Sequence, residues 1–64
     1  MVKIKYFVDG KQFVERFKEH IPRKGELVRF KKIVYVVVTI VYVEEGEDPF
    51  VSMDLVKETY NVNS

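Results

Sequence analysis

The stretch that most constrains this chain is residues 33–43, which read IVYVVVTIVYV. Ten of these eleven positions are hydrophobic, and Thr39 is the exception. The β-branched and aromatic side chains favour a β-strand, and the run is too short for a membrane-spanning helix, which needs about 20 residues. Antiparallel strands commonly present one polar face to water. This strand is apolar on both faces, so we expect both of them to be covered.

Strict alternation divides the strand between two faces. One face carries Val34, Val36, Val38, Ile40 and Tyr42, and the other carries Ile33, Tyr35, Val37, Val41 and Val43. About five exposed side chains of this size would form a patch of several hundred Å², which monomers rarely expose. We therefore predict that strand 33–43 is central and that one face, or its edge, is buried against a second copy. The predicted oligomer interface comprises Val34, Val36, Val38, Ile40, Tyr42, Tyr35, Val37 and Val41.

The length of the chain supports the same prediction. It has 64 residues, no cysteine and one histidine. A single domain of this size is only marginally stable, and small domains usually gain stability from disulfides, a metal or a partner subunit. The lack of cysteine excludes disulfides and thiolate zinc sites. We expect no cofactor and no metal, and a homo-oligomer, most simply a dimer.

The remaining pattern predicts a mainly β fold. Residues 2–8 alternate as a half-buried strand, and Asp9-Gly10 predicts a type I′ hairpin turn. Residues 27–30 and 50–56 are further strands, and Lys31-Lys32 is a tight polar break. We expect a meander that forms a small five-stranded SH3-like barrel or curved antiparallel sheet. Residues 1–57 would form one domain, and 58–64 a frayed tail.

Residues 11–21, KQFVERFKEHI, fit two structures. A helix would place Phe13, Val14, Phe17 and Ile21 on one stripe. A strand is favoured by the preceding turn and the phenylalanines, and it would place Lys5 opposite Glu15 if Asp9-Gly10-Lys11 forms the loop. The two alternatives bear on the oligomer, because a helix here would cover the second face of strand 33–43 and a strand would not.

The charges are unevenly distributed along the chain. Residues 1–32 carry ten basic and four acidic side chains, whereas residues 33–64 carry one basic and six acidic side chains. The two halves interleave in the sheet and cancel, or the basic half binds nucleic acid, or the two surfaces meet between subunits. The candidate nucleic-acid patch flanks the aromatic Phe30 and consists of Arg23, Lys24, Arg29, Lys31 and Lys32.

Motifs for chemistry are sparse. His20 is the only imidazole that could activate a hydroxyl nucleophile, and we expect it to be an edge residue, so no catalytic residue is assigned. The acidic stretch 44–48 does not have the spacing of an EF-hand loop. We interpret it as a solvated hairpin connection rather than a calcium site.

The segment 21–57 resembles small SH3-like barrels encoded by short phage reading frames. The resemblance lies in IPRKGELVRF, YVVVTIVYVEE and FVSMDLVKE, with a preceding DG turn. It implies a non-enzymatic accessory protein that binds and inhibits a host or bacterial-defence protein, often as a homo-oligomer. The alternative is a small β-barrel module that binds nucleic acid or a nucleotide. Residues 1–8 interleave lysines with apolar side chains, whereas a signal peptide has a basic start followed by an apolar run. We therefore expect a cytoplasmic protein, in the host cytoplasm if phage-encoded, with no membrane association.

Overall fold

A computed structural model describes residues 1–58, and they form five β-strands. The strands are β1 (Val2–Val8), β2 (Lys11–Lys18), β3 (Leu27–Phe30), β4 (Ile33–Val43) and β5 (Phe50–Lys57). The predicted five-stranded, curved β fold is confirmed. Residues 11–18 are a strand, so the helical alternative for this segment is wrong. Of the predicted frayed tail, residues 59–64 lie outside the described part of the chain.

The strand order differs from a simple meander. The order across the sheet is β2-β1-β5-β4-β3. Three of the neighbouring pairs are antiparallel, whereas β1 and β5 are parallel. The parallel pair arises because the segment 19–26 carries the chain from β2 to the far side of the sheet, and β5 then returns to the middle. The prediction that strand 33–43 is central is therefore corrected: β5 is the central strand, and β4 is its neighbour.

The core lies on the inner face of the curled sheet. Its buried side chains come from β1, β4 and β5 and are Ile4, Tyr6, Tyr35, Val37, Val51, Met53 and Leu55. The outermost strands β2 and β3 meet through side chains: the Phe13 and Phe30 rings are 5.6 Å apart, and Phe30 also packs 5.1 Å from Tyr6. Because β2 and β3 are not backbone-paired, the fold is a half-barrel closed by aromatic contacts.

The two hairpin turns have positive φ angles. Asp9 and Gly10 have φ of 55° and 78°, which agrees with the predicted type I′ turn. Lys31 and Lys32 have φ of 52° and 70°, so the β3–β4 turn has the same hand without a glycine. Positive φ is unfavourable for side chains other than glycine, asparagine and aspartate. We call Lys31-Lys32 the lysine turn. The pairing of β3 with β4 on either side keeps its backbone in this unfavourable conformation.

The first hairpin reaches its predicted register by another route. Lys5 lies opposite Glu15, as expected for the strand. The loop has two residues rather than three, and the extra residue is taken up by a bulge opposite the step from Tyr6 to Phe7. That bulge contains Phe13, whose ring reaches both Phe30 and Tyr35 on the inner face.

Candidate interaction surface

A β-bulge in β4 overturns the strict alternation assumed for this strand. Val37 lies opposite Leu55 and Thr39 lies opposite Asp54, so Val38 has no partner in the ladder. The bulge shifts the later residues by one position, because two residues now oppose one.

The true inner face of β4 therefore combines Tyr35 and Val37, before the bulge, with Ile40 after it. The outer face carries Val34, Val36 and Val41, from both of the predicted sets. Of the predicted interface residues, Tyr35 and Val37 are buried in the core of the single chain, and Ile40 packs against that core.

The outer face carries an apolar row that crosses three strands. Val36 of β4 is flanked by Leu27 of β3 on one side and Val56 of β5 on the other. Leu27 is 60% exposed and Val56 is 51% exposed. Directly opposed side chains in antiparallel strands lie about 5 Å apart, so the three form a continuous surface. We call Leu27, Val34, Val36 and Val56 the outer patch.

A groove of about 490 Å³ opens beside this patch. Its lining residues are Leu27, Lys32, Ile33, Val34, Lys57 and Glu58. Two of the charged side chains are basic and one is acidic, and Arg29 stands on the outer face opposite Val34. The groove therefore has an apolar floor and a rim that is basic on balance.

The other half of the outer face is covered by charged side chains. The Lys5 ammonium lies 4.1 Å from the centre of the Phe50 ring, and Lys3 lies 6.0 Å from Phe17 while pairing with Asp48. The hydrogen bond between them raises the pKa of Lys3 and lowers the pKa of Asp48. Cation–π contacts of this kind attract an ammonium group to the face of the ring. This half of the face is therefore less available to a partner than the outer patch.

One edge of β4 is unpaired over most of its length. β3 pairs only with residues 33–36 of β4, and the turn before β3 adds two bonds at Val37, from Gly25 N at 2.7 Å and to Glu26 O at 3.0 Å. Within residues 1–58, nothing pairs with residues 38–43 on that side. We call this six-residue segment, VTIVYV, the open edge. Its Val41 and Tyr42 side chains are 50% and 59% exposed.

The candidate nucleic-acid patch is distributed along β3. Arg23 and Lys24 lie in the turn before this strand, Lys31 and Lys32 lie in the turn after it, and Arg29 is on its outer face. Phe30 points the other way, into the aromatic cluster of the core. The structure thus places the basic side chains along one strand but separates them from the ring predicted to accompany them.

The acidic connection 44–49 lies at the opposite end of β4 from the lysine turn. At about 3.3 Å per residue, the eleven-residue strand spans roughly 36 Å. Strands from the two halves of the sequence are neighbours in the sheet, with β1 beside β5 and β3 beside β4. The basic Lys31-Lys32 turn and the acidic connection 44–49 nevertheless lie at opposite ends of β4. Among the described residues, no three His, Cys, Asp or Glu side chains cluster in a way that would hold a metal ion. Asp48 is instead engaged by Lys3.

None of the side-chain hydrogen bonds in residues 1–58 joins His20 to a threonine or serine hydroxyl. Thr39 and Ser52 lie on the outer face of neighbouring strands, and His20 is exposed in the segment that follows β2. No helix in residues 1–58 is long and apolar enough to cross a membrane. No protein-family model, curated protein or solved structure matches this chain. Its function is therefore inferred from the outer patch and the open edge themselves.

Proposed function

We propose that this protein is a non-enzymatic protein-binding module that acts as a homo-oligomer and holds its target on the outer patch. The observation that carries the proposal is the row formed by Leu27, Val36 and Val56 across three strands. Leu27 and Val56 are exposed and Val36 between them is half-buried, and contiguous apolar patches of this kind mark interaction sites. A preformed surface also loses little entropy when it is covered.

The chemistry of the rim selects the kind of target. Burying the outer patch removes several aliphatic side chains from water, which contributes at about 25 cal/mol per Å². Lys32 and Lys57 line the adjoining groove, and Arg29 stands beside it. A complementary partner presents one or two apolar side chains flanked by carboxylates, because opposite charges at the rim fix orientation and speed association.

The resemblance to phage-encoded small barrels supports a more specific form of this function. In that form, the target is a host or bacterial-defence protein, and binding inhibits it. A small rigid module with one apolar patch suits this role, since it can block a functional surface without any chemistry of its own. The half-barrel fold is compatible with the resemblance and carries the proposed binding surface on its outer face.

A variant-controlled capture experiment tests the proposal. The tagged full chain is incubated with bacterial lysate, with and without nuclease, and captured proteins are identified by mass spectrometry. Leu27→Asp places a charge in the outer patch and should abolish capture of the specific target. Phe17→Asp is the matched control, because Phe17 is similarly exposed, at 57%, but lies on β2 away from the patch. The control should retain the target.

Two outcomes would count against the proposal. Equal capture by the Leu27→Asp variant and the unmutated chain would show that the outer patch is not the binding surface. Loss of every partner on nuclease treatment would favour the nucleic-acid alternative. In that case, binding should weaken with salt by a log–log slope of about −0.7 to −0.9 per phosphate contacted.

A further inference from the structure

We propose that the open edge of β4 pairs antiparallel with the open edge of a second copy. The two chains would then be related by a two-fold axis and would share one continuous sheet. This inference rests on the homo-oligomer part of the proposed function and specifies the surface involved. It is independent of the outer patch, which lies on the face of the sheet and remains available to a target.

The backbone of the open edge is prepared for such pairing. Val34 O accepts a hydrogen bond from Glu58 N, so the even-numbered residues of β5 point their backbone groups toward β4. Asp54 and Ser52 are therefore bonded to their opposites, Thr39 and Val41. The alternation of the ladder then directs the amide and carbonyl groups of Ile40 and Tyr42 outward. An unpaired row of this kind is a template for another strand.

Charges of opposite sign stand at the two ends of the open edge. One end begins at Val37, where the hydrogen bond from Gly25 N fixes the turn that carries Arg23 and Lys24. In the same turn, the Glu26 carboxylate accepts a hydrogen bond from the Arg23 amide, and two basic side chains outnumber this one acidic side chain. The other end of the edge runs directly into Glu44 and Glu45. The six residues between these ends carry no charge.

This polarity identifies the occupant as a second copy in antiparallel orientation. A two-fold axis through Val41 sets Ile40 of each chain opposite Tyr42 of the other, so that the outward backbone groups meet. In this register Glu45 of each chain lies opposite Val37 of the other, beside the Arg23–Lys24 turn. The attraction occurs twice, as an isologous contact requires. Parallel pairing would instead place basic turn against basic turn and acidic loop against acidic loop. Like-charge contacts of that kind are disfavoured, so the charges select one orientation.

A charge-exchange experiment tests the inference. Variant one is Arg23→Glu/Lys24→Glu, and variant two is Glu44→Lys/Glu45→Lys. Each variant alone places like charges at both ends of the pair, and we expect its dimer dissociation constant to rise about tenfold or more. A mixture of the two variants restores attraction at both ends. Sedimentation of the mixture should therefore show a heterodimer with close to the unmutated affinity.

The control is Lys31→Glu/Lys32→Glu, which changes the net charge by the same amount as variant one but far from the open edge. It should self-associate like the unmutated chain, and circular dichroism verifies that every variant is folded. If the unmutated chain dimerises while both variants dimerise equally well, the edge pairing is wrong and the homo-oligomer stands. If the unmutated chain is a monomer at about 100 µM, both are wrong.

A further variant covers the case in which a charge reversal prevents folding. Tyr42→Pro removes an amide that points out of the sheet, and proline is tolerated at such edge positions. We expect a folded monomer. A folded dimer in this variant would overturn the edge pairing, because the outward amide of Tyr42 is one of the few donors available to a partner strand.

Discussion

The two long edges of this sheet differ in how they meet water. β2 is an outermost strand, and four of its eight residues are charged, with Lys11 and Lys18 at its ends. The open edge of β4 has no charge in six residues. Charged side chains on edge strands are the usual protection against unwanted pairing. Both edges have free backbone groups, so they differ in charge rather than in exposure, and only β2 has the charged side chains that protect an edge.

The largest expected effect separates the core side of β4 from its exposed edge. Val37→Lys places an ammonium at a position that is 1% exposed, among apolar side chains. An unpaired buried charge costs several kcal/mol, which is comparable to the whole stability of a small domain. We expect this variant to be unfolded by circular dichroism at 25 °C, whereas Val41→Lys should remain folded. A cooperative melt near that of the unmutated chain for Val37→Lys would contradict the core assignment.

The next prediction exchanges the character of the two edges. Thr39→Lys/Val41→Lys gives the open edge the charge pattern of β2, and we expect a folded monomer. Glu15→Val/Lys18→Val makes β2 resemble the open edge, and we expect stronger self-association or aggregation. Light scattering at matched concentrations measures both. An unchanged molecular mass for the two variants would mean that neither edge is governed by its charges.

A smaller effect is expected at the turn that joins β3 to β4. Lys31→Asn/Lys32→Gly supplies residues that accept positive φ. This relieves a left-handed strain of about 1–2 kcal/mol per residue, less the extra freedom that glycine gives the unfolded chain. Chemical denaturation should therefore show a higher free energy of unfolding. Self-association should not change, because this turn lies at the end of β4 that pairs with β3, away from the open edge. A destabilised variant would show that the lysine side chains themselves hold the turn.

The smallest effect concerns pH. The pKa of Asp48 is lowered by Lys3, so the contribution of the pair to stability is present above the ordinary aspartate pKa of 3.8 and is lost as the pH falls through the lower folded value. The pKa of Lys3 is raised by Asp48, so the same contribution is lost as the pH rises above 10.5 through the higher folded value. The Asp48 side chain is 74% exposed, so solvent screens the pair and keeps the effect small.

Denaturation of the Asp48→Asn variant between pH 2 and 11 measures this contribution. The difference in unfolding free energy between the variant and the unmutated chain should be largest near neutral pH and should decrease toward both ends of the range. The Lys3–Asp48 ion pair also connects the acidic loop to β1. If the open edge depends on the placement of that loop, dimerisation of Asp48→Asn should weaken slightly at neutral pH.

Much of the local structure follows from the sequence. The alternation of residues 2–8, the Asp9-Gly10 turn and the apolar run 33–43 each depend on neighbouring residues, and each is confirmed. The Lys5–Glu15 register is also confirmed, because the turn fixes it. These features could be predicted since side-chain periodicity and turn chemistry act over a few residues.

The bulge at Val38 and the position of β5 could not be predicted in the same way. Bulges are often marked by glycine, but the Val37-Val38-Thr39 sequence contains none. The loss of regular pairing at this bulge is offset by the packing of Ile40 on the core. The parallel pairing of β5 with β1 depends on where the segment 19–26 leads the chain. The row of Leu27, Val36 and Val56 depends on that register, so the outer patch could be found only in the folded structure.

The parallel pairing of β1 with β5 also sets an order of events in folding. Val51 lies opposite Ile4, although most of the chain separates these two residues in sequence. The β1–β2 and β3–β4 hairpins close over two-residue turns and are expected to form within microseconds. The central pairing must bring together distant segments, which is slow because the entropy of the intervening chain opposes it. Before β5 pairs with β1 and β4, the two hairpins expose their apolar faces to solvent. The rate of this pairing step therefore determines how long a newly made chain can associate incorrectly with other chains.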